Sequence, residues 1–194
     1  MKIENSFILE IFKTISFSKK ELNMVESKFQ KLTLKKGITL LNTGKRVNHQ
    51  YFICSGCLRT YFIDKSGKEH TIQFAIKDWW ISDYTAFFTT SVAIMTIDCI
   101  EDAIIYKVSK KDMESLYIEI PQLETFFRKK MESAFSSFQK RIIGSLSQSA
   151  KERYTSFIRT YPNIEQSVKN YHIASYLGIT TESLSRIRKE IAYK

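Results

Sequence analysis

Apolar side chains recur at helical spacing near the start of the chain. The first group consists of Ile8, Ile11, Phe12 and Ile15, and the second of Leu22, Val25 and Phe29. Spacing of three and four residues places such side chains on one face of a helix. Ser18 precedes the second group, where an N-cap is expected. The pattern predicts two short helices that pack at the edge of the following domain.

From about residue 34 to residue 108 the pattern changes to short β-rich runs. Residues 51–53, 58–63 and 70–76 are rich in β-branched and aromatic side chains, which suit a half-buried pleated surface. Turn signals separate the runs, namely Lys36-Gly37, Thr43-Gly44, Ser55-Gly56, Ser66-Gly67 and Lys77-Asp78. This spacing is typical of an all-β sandwich or barrel, with Ser66-Gly67 as a hairpin tip.

After Pro121 the hydrophobic period becomes helical. The apolar stripe consists of Leu123, Phe127, Met131, Ala134, Phe135, Phe138 and Ile142. A helix of roughly 25 residues, about 35 Å long, carries a longer aromatic stripe than one small β-domain can cover. We therefore expect a homodimer whose seam follows this stripe. The alternative is a helix that lies on its own sandwich. A further helix is predicted to reach about Thr160 and to end before Pro162, with the residues beyond it forming a small unit of their own.

Residues 170–189 carry the most specific pattern in the chain. Ala174 is a small residue where two helices would cross, and Gly178 permits the positive φ of a tight turn. The five apolar positions of the motif hold Ile173, Leu177, Ile179, Leu184 and Ile187. This combination predicts a helix-turn-helix, and an ordinary helical hairpin is the alternative.

The second helix of the motif presents a polar face. Thr180 is placed to cap it, and the candidate base-reading residues are Thr181, Glu182, Ser185 and Arg186. An Arg can donate two hydrogen bonds to guanine, and a Glu can accept one from cytosine; a surface ion pair between Glu182 and Arg186 is the alternative. Candidate phosphate contacts are Lys169, Thr180, Arg188 and Lys189, with Lys151, Arg153, Arg159 and Lys194 as weaker candidates.

Composition agrees with a globular protein that has an anionic partner. The 194 residues include 30 Lys and Arg against 20 Asp and Glu, and 43% are hydrophobic, which supports a real core. Residues 140–194 hold 10 of the basic and only 4 of the acidic side chains. The residues after Met1 show no secretory signal, and the longest uncharged stretch, 84–97, is short of the roughly 20 apolar residues that span a bilayer. Three cysteines favour a reducing compartment, so we expect a cytoplasmic protein with no membrane partner.

A β-rich domain, a long helix and a C-terminal helix-turn-helix, in this order, resemble a Crp/Fnr-type bacterial transcription regulator. Residues 182–186, read Glu-Ser-Leu-Ser-Arg, resemble the Glu-x-x-Ser-Arg pattern of the Fnr branch, whose members read TTGA-type half-sites. Residues 51–61 resemble the strand-turn-strand of the cyclic-nucleotide-binding-like jelly roll.

The resemblance implies an α+β fold in three parts. They are a sensory jelly roll with flanking helices (1–120), a dimerisation helix (121–146) and a winged-helix-like helix-turn-helix domain (147–194). It further implies double-stranded DNA and a second copy of the chain as partners, and it leaves contact with RNA polymerase open.

The expected effector cassette departs from the family pattern. Members that bind cyclic nucleotides carry a Gly-Glu pair and, ten residues later, an Arg for the phosphate. Alignment on Trp79-Trp80-Ile81 places Ser82, Asp83, Ala93 and Ile94 at these positions. Without the Arg, a cyclic phosphate loses its charge-assisted hydrogen bonds. We expect no cyclic nucleotide dependence, and gating by another, unidentified small molecule is the open alternative.

Metal and catalytic signatures are incomplete. Cys54 and Cys57 form a CxxC pair, but no second pair and no nearby pair of histidines completes four ligands. The Fnr-type cluster draws most of its cysteines from the N-terminal region, which here has none. His49, His70 and His172 are too scattered for a metal enzyme on a jelly roll. We expect no metal, no cofactor and no enzymatic activity, and we place the CxxC pair on either side of a hairpin turn. A jelly-roll enzyme or scaffold is the rival class.

Overall fold

The computed structural model describes residues 7–192, so residues 1–6 and 193–194 lie outside the described part. The elements, in chain order, are α1 (Phe7–Ile11), α2 (Lys19–Lys28), β1 (Gln30–Leu34), β2 (Thr39–Leu41), β3 (His49–Ile63), β4 (Glu69–Ala75), β5 (Trp80–Ile81), α3 (Tyr84–Thr89), β6 (Thr96–Ser109), α4 (Lys110–Glu119), α5 (Pro121–Ser147), α6 (Ala150–Thr160), a 3-10 turn (Ile164–Gln166), α7 (Asn170–Leu177) and α8 (Thr181–Ala192). This is the predicted α+β order.

The N-terminal helices form where the hydrophobic pattern predicts them. Ser18 caps α2 through a capping box, in which its hydroxyl accepts from the Glu21 N–H while the Glu21 carboxylate accepts from the Ser18 N–H at 2.7 Å. The apolar faces of α1 and α2 pack with α4 and the start of α5 in one core cluster, which also includes Phe52 and Trp80 of the sheet.

The strands form an antiparallel sheet with the order β1-β6-β3-β4, in which β2 also pairs with β6 and β5 with β3. The long strands β3 and β6 pair from His49 opposite Ser109 to Tyr61 opposite Thr96. Their inward side chains enclose a second core cluster inside the sheet. Ser66-Gly67 is the tip of the β3–β4 hairpin, as predicted.

The predicted turn at Ser55-Gly56 is wrong. Both residues lie inside β3, where the pairing with β6 shifts register, so the segment is a β-bulge and not a turn. Gly56 has φ +87°, and a Cβ there would lie 2.7 Å from the Cα of Ala103, so glycine is required at this close approach of two strands. Cys54 and Cys57 consequently flank a bulge within one strand.

Helix α5 begins at Pro121, where proline is tolerated because the first N–H of a helix has no intrahelical partner. Leu123 and Phe127 are buried in the chain's own core, so their placement on a dimer seam is wrong. The first turns of α5 therefore lie on the chain's own sandwich, which was the alternative interpretation of the stripe. Met131 and Ala134 are half-buried, while Phe135 is 65% and Ile142 57% exposed.

The C-terminal helices pack against the sheet. Helices α6, α7 and α8 share a third core cluster with Cys57, Phe74 and Ile100 of the sheet. Phe74 of β4 contacts the rings of Phe157 and Tyr161 at centroid distances of 6.1 and 5.8 Å. Of the residues that the structure describes, those after Ser109 contain no β-strand.

Candidate functional site

Residues 170–192 fold as the predicted helix-turn-helix. Helix α7 ends at Gly178, whose φ of +66° is the left-handed conformation that the turn requires. Thr180 caps α8, because its Oγ1 accepts from the Ser183 N–H at 3.2 Å. Four of the five apolar motif positions are buried, and Ile179 is half-buried against the same cluster.

The face of α8 opposite this core is polar and open to solvent. Glu182, Ser185, Arg186 and Lys189 are exposed, and Thr181 is half-buried. The Thr181 hydroxyl donates to the Glu182 carboxylate at 3.1 Å. A hydrogen bond from its own backbone N–H, and then the Thr180 and Thr181 hydroxyls, lower the pKa of Glu182. Within residues 7–192, no ion pair joins Glu182 to Arg186, so the simple surface pair is not observed.

One predicted phosphate contact is used inside the domain. The Arg188 guanidinium donates to the Asn170 side-chain oxygen at 2.6 Å, pairs with the Glu165 carboxylate at 2.7 Å and lies 3.3 Å from the Tyr154 hydroxyl. It therefore braces α8 against the 3-10 turn and α7, at a position where the sequence predicted a phosphate contact.

Of the other predicted phosphate contacts, some bond to groups of the chain itself and others are exposed. Lys151 pairs with Glu190 at 3.3 Å, and Arg153 donates to main-chain oxygens of Gln148 and Leu177. Lys169, Thr180, Lys189 and Arg159 are exposed. Among the described residues, Lys169 at the start of α7 and Lys189 near the end of α8 are therefore exposed cations without an ion pair.

Helix α7 is docked on the sheet through polar contacts that the sequence pattern did not predict. The Thr71 N–H donates to the Ser175 hydroxyl, which donates to the Glu69 carbonyl, both at 2.9 Å. Buried Arg59 holds Asp98 through two nitrogens at 3.1 and 2.8 Å and Glu69 at 2.7 Å.

The same guanidinium contacts Nδ1 of His172 on α7. Burial, and then the charge of Arg59, lower the pKa of His172 to about 4. The imidazole is therefore neutral at physiological pH and accepts from Arg59. These partners are far apart in sequence, and an Arg in a β-rich run carries no local sign of such a role.

A second unpredicted contact joins α5 to the helix-turn-helix. The Arg141 guanidinium stands over the Tyr176 ring of α7, 4.8 Å from its centroid, and over the Phe138 ring at 5.3 Å. It also donates to the Ile72 carbonyl of β4. Arg141 thus links the long helix, the sheet and the first helix of the motif.

The effector cassette is closed by its own aspartate. Asp83 is fully buried and caps α3, with Oδ1 accepting from the Ala86 N–H at 3.2 Å. Its Oδ2 accepts from the N–H groups of Ile94 and Met95 at 2.8 and 3.0 Å. Ser82 donates to the His49 carbonyl at 2.9 Å, and Ala93 is buried. Two of the four cassette positions, Asp83 and Ile94, are thus joined by a hydrogen bond within the protein.

A cavity of about 540 Å³ adjoins this cassette. Its walls come from β3, β4, the cassette and α5, namely Thr60, Phe62, Ile72, Gln73, Ser82, Tyr84, Thr85, Ile94, Met95 and Phe138. Thr60 is 2% exposed, and its hydroxyl has no hydrogen-bond partner in the structure.

The cysteines are free thiols in the structure. Cys57 and Cys99 are buried and Cys54 is half-buried, and burial raises the pKa of the Cys57 thiol to about 12. A thiol with such a pKa is a poor nucleophile at neutral pH.

Among residues 7–192, no group of three His, Cys, Asp or Glu is placed to hold a metal ion. The described helices include none that is both long and apolar enough to cross a bilayer.

Comparison with known proteins agrees with this architecture. A family profile for the cyclic nucleotide-binding domain matches residues 31–119. The chain is 24% identical over 186 residues to the anaerobic regulatory protein of Haemophilus influenzae, with 89% of this chain and 71% of that protein covered.

Solved structures share the fold. FixK2 from Bradyrhizobium japonicum superposes with a TM-score of 0.75 at 14% identity, covering 85% of both chains. A protein described as a crp/fnr-family transcriptional regulator, from Eubacterium rectale, superposes with a TM-score of 0.70 at 18% identity, covering 91% of this chain and 84% of that one.

Proposed function

We propose that this chain, which is a Crp/Fnr-type regulator, binds double-stranded DNA sequence-specifically as a homodimer and regulates transcription in the bacterial cytoplasm. The observation that carries the proposal is the polar face of α8. Leu184 and Ile187 are buried on one side of the helix, while Glu182, Ser185 and Arg186 are exposed on the other. In a helix-turn-helix, such a face enters the major groove.

Base reading is assigned to the exposed residues of α8. Arg186 donates two hydrogen bonds to a guanine and Glu182 accepts from a cytosine, with Ser185 and Thr181 on neighbouring positions. The ionised state of Glu182, favoured by its lowered pKa, suits an acceptor. Lys169, Thr180 and Lys189 contact phosphates, whereas Arg188 supports the helix from inside.

The dimer seam is assigned to the second half of α5. Phe135, Phe138 and Ile142 belong to the predicted stripe and are exposed, and Ile143 and Leu146 extend the apolar surface with 61% and 83% exposure. Contiguous exposed apolar surface marks an interaction site. A two-fold dimer along this helix would present two copies of α8 to half-sites about 34 Å apart.

The effector is not a cyclic nucleotide bound in the usual way. None of the residues that line the cavity is an Arg or Lys to neutralise a phosphate. The backbone N–H groups that could hold an anion are engaged by Asp83. Regulation therefore proceeds without a cyclic nucleotide.

The test is a fluorescence anisotropy titration of a duplex with two TTGA-type half-sites, repeated at several salt concentrations. Lys169 and Lys189 from two subunits give about four phosphate contacts, so log Kd should rise with log salt with a slope of roughly 3 to 4. A scrambled duplex should bind more weakly at each salt concentration. A flat salt response, or equal affinity for both duplexes, would contradict the proposed function.

A further inference from the structure

Only two residues join α5 to the C-terminal helices. Helix α5 ends at Ser147 and α6 begins at Ala150, and Gln148 and Ser149 between them have extended backbones. Such a short connection limits how far α6 can move from α5, but it leaves the angle between the two helices free. Contacts other than this covalent link must therefore set the orientation of α8 relative to α5.

The edge of the sheet holds α7 through directional hydrogen bonds. Among the described strands, β4 is the last in the sheet order, so its outer backbone groups do not pair with a further strand. Two of them bond to Ser175 of α7 instead, because the Thr71 N–H donates to the Ser175 hydroxyl and this hydroxyl donates to the Glu69 carbonyl, both at 2.9 Å. The apolar core that the C-terminal helices share with the sheet is not directional, whereas these hydrogen bonds fix one register of α7 along β4.

A buried guanidinium provides a second fixed point. Arg59 of β3 is 2% exposed and bonds to Asp98 of β6 and Glu69 of β4, so that three strands hold it in place. It also contacts Nδ1 of His172 on α7, three residues before Ser175. A shift of α7 along the sheet would leave a buried guanidinium N–H without this acceptor, which is unfavourable.

Arg141 provides a third fixed point, from α5. Its guanidinium lies over the Tyr176 ring of α7, 4.8 Å from the ring centroid, and donates to the Ile72 carbonyl of β4. Tyr176 directly follows Ser175, so the sheet and the long helix hold α7 at neighbouring residues. Because α7 and α8 are joined by the turn at Gly178 and share one core, the position of α7 sets the position of α8.

We propose that the contacts of α7 with the sheet and with α5 set the distance between the two DNA half-sites that the dimer recognises, with Arg59, Arg141 and Ser175 as positioning residues. The inference rests on the proposed function and deepens it, since α8 selects the sequence of each half-site and these contacts select the spacing. A dimer seam along α5 relates the two sheets, and each sheet holds its own α7 and α8 in one place.

Half-site spacing is a strict geometric requirement for a rigid dimer. Half-sites one helical turn apart have centres about 34 Å apart, and each added base pair increases this distance by about 3.4 Å and rotates one half-site by about 34° around the DNA axis. Two α8 helices in fixed positions cannot follow such a change, so contacts with the second half-site are lost. Helices on a loosened α7 can follow it, but they bind the best spacing less tightly because they are not preorganised.

The test uses the full chain and a series of duplexes with two TTGA-type half-sites, in which the spacer changes by one base pair at a time. Fluorescence anisotropy gives the affinity for each spacer. The wild type should prefer one spacer and bind at least about tenfold more weakly when a base pair is added or removed. Ser175→Ala combined with Arg141→Gln should reduce this loss to about threefold or less and weaken binding to the best spacer by roughly 3- to 10-fold.

Three controls separate a changed position of α8 from a damaged fold. The double variant should keep the wild-type affinity for a duplex with a single half-site, because neither residue belongs to the exposed face of α8. Ser27→Ala combined with Arg128→Gln makes the same two substitutions at exposed positions of α2 and α5 and should keep the wild-type spacer profile. Ser175→Ala alone should broaden the spacer profile in the same direction, to a smaller extent.

Two results with the double variant would overturn the inference. One is a spacer profile as narrow as that of the wild type, and the other is tighter binding at the best spacer, which would make the docked position of α7 an inhibitory one. Binding that depends on the half-site sequence, with the same spacer profile in all variants, would overturn the inference alone. A wild type that binds no duplex, or binds scrambled half-sites equally well, would contradict the proposed function and the inference with it.

Discussion

Acidification should lower the free energy of unfolding of this protein through a single buried imidazole. His172 is 6% exposed, and burial together with the charge of Arg59 lowers its pKa to about 4, while Asp98 and Glu69 act in the opposite direction. In the unfolded chain the same imidazole titrates near 6.5. Between these two values the unfolded state therefore binds a proton that the folded state does not.

The sign and size of the effect follow from this difference. The contribution of His172 is fully present above pH 6.5 and is lost as the pH falls from 6.5 towards 4. The loss in the free energy of unfolding should reach roughly 2 to 3 kcal/mol at the acid end of this window. This loss of stability should first affect the contact between α7 and the sheet, because His172 lies in that contact.

Urea denaturation at several pH values between 7 and 4 measures the effect. His172→Gln keeps a neutral acceptor for Arg59 but cannot titrate, so the wild type should lose about 2 to 3 kcal/mol more than this variant over the same range. Arg159→Gln, at an exposed position of α6, is the control and should follow the wild type. Parallel pH profiles for the wild type and His172→Gln would refute the reasoning.

Three further perturbations test the seam, the phosphate contacts and the cassette. Phe135→Glu combined with Ile142→Glu should give monomers in sedimentation analysis, whereas Ile118→Glu, at an 80% exposed position of α4, should leave the dimer intact; a surviving double-variant dimer would place the seam elsewhere. Lys189→Ala should weaken all duplexes about equally and reduce the salt slope by about 2, one contact per subunit, and an unchanged slope would remove it from the phosphate contacts. Asp83→Ala leaves three N–H groups without their acceptor and should lower the free energy of unfolding by about 2 to 4 kcal/mol in urea; a change under about 0.5 kcal/mol would contradict the assigned hydrogen bonds.

Local patterns predicted the features that depend on local physics. Ser18 caps a helix because its hydroxyl accepts from an N–H three residues away. Gly178 ends α7 because the turn itself requires a positive φ at this position. The hydrophobic period after Pro121 likewise identified α5, because helical spacing is set within a few residues of sequence. Each of these interactions closes within a few residues of sequence.

The features that the local patterns did not predict depend on partners distant in sequence. Ser55-Gly56 has the composition of a turn, but pairing with β6 makes it a bulge. Periodicity identified the apolar face of α5 without indicating that the N-terminal helices cover Phe127. Arg188 finds its partners 18 and more residues away, and the contact between Arg59 and His172 spans 113 positions. Such contacts leave no periodic signal in the chain.

The central claim is that α8 reads bases, and selection from a pool of random duplexes tests it most directly. The wild type, Arg186→Ala and Lys189→Ala are each used, and base preferences are read position by position. The wild type should select a two-fold symmetric site with TTGA-like halves. Arg186→Ala should lose roughly 1 to 3 kcal/mol on that site and lose discrimination at the guanine, whereas Lys189→Ala should keep every preference. An Arg186→Ala profile identical to that of the wild type, with only a uniform loss of affinity, would contradict the account.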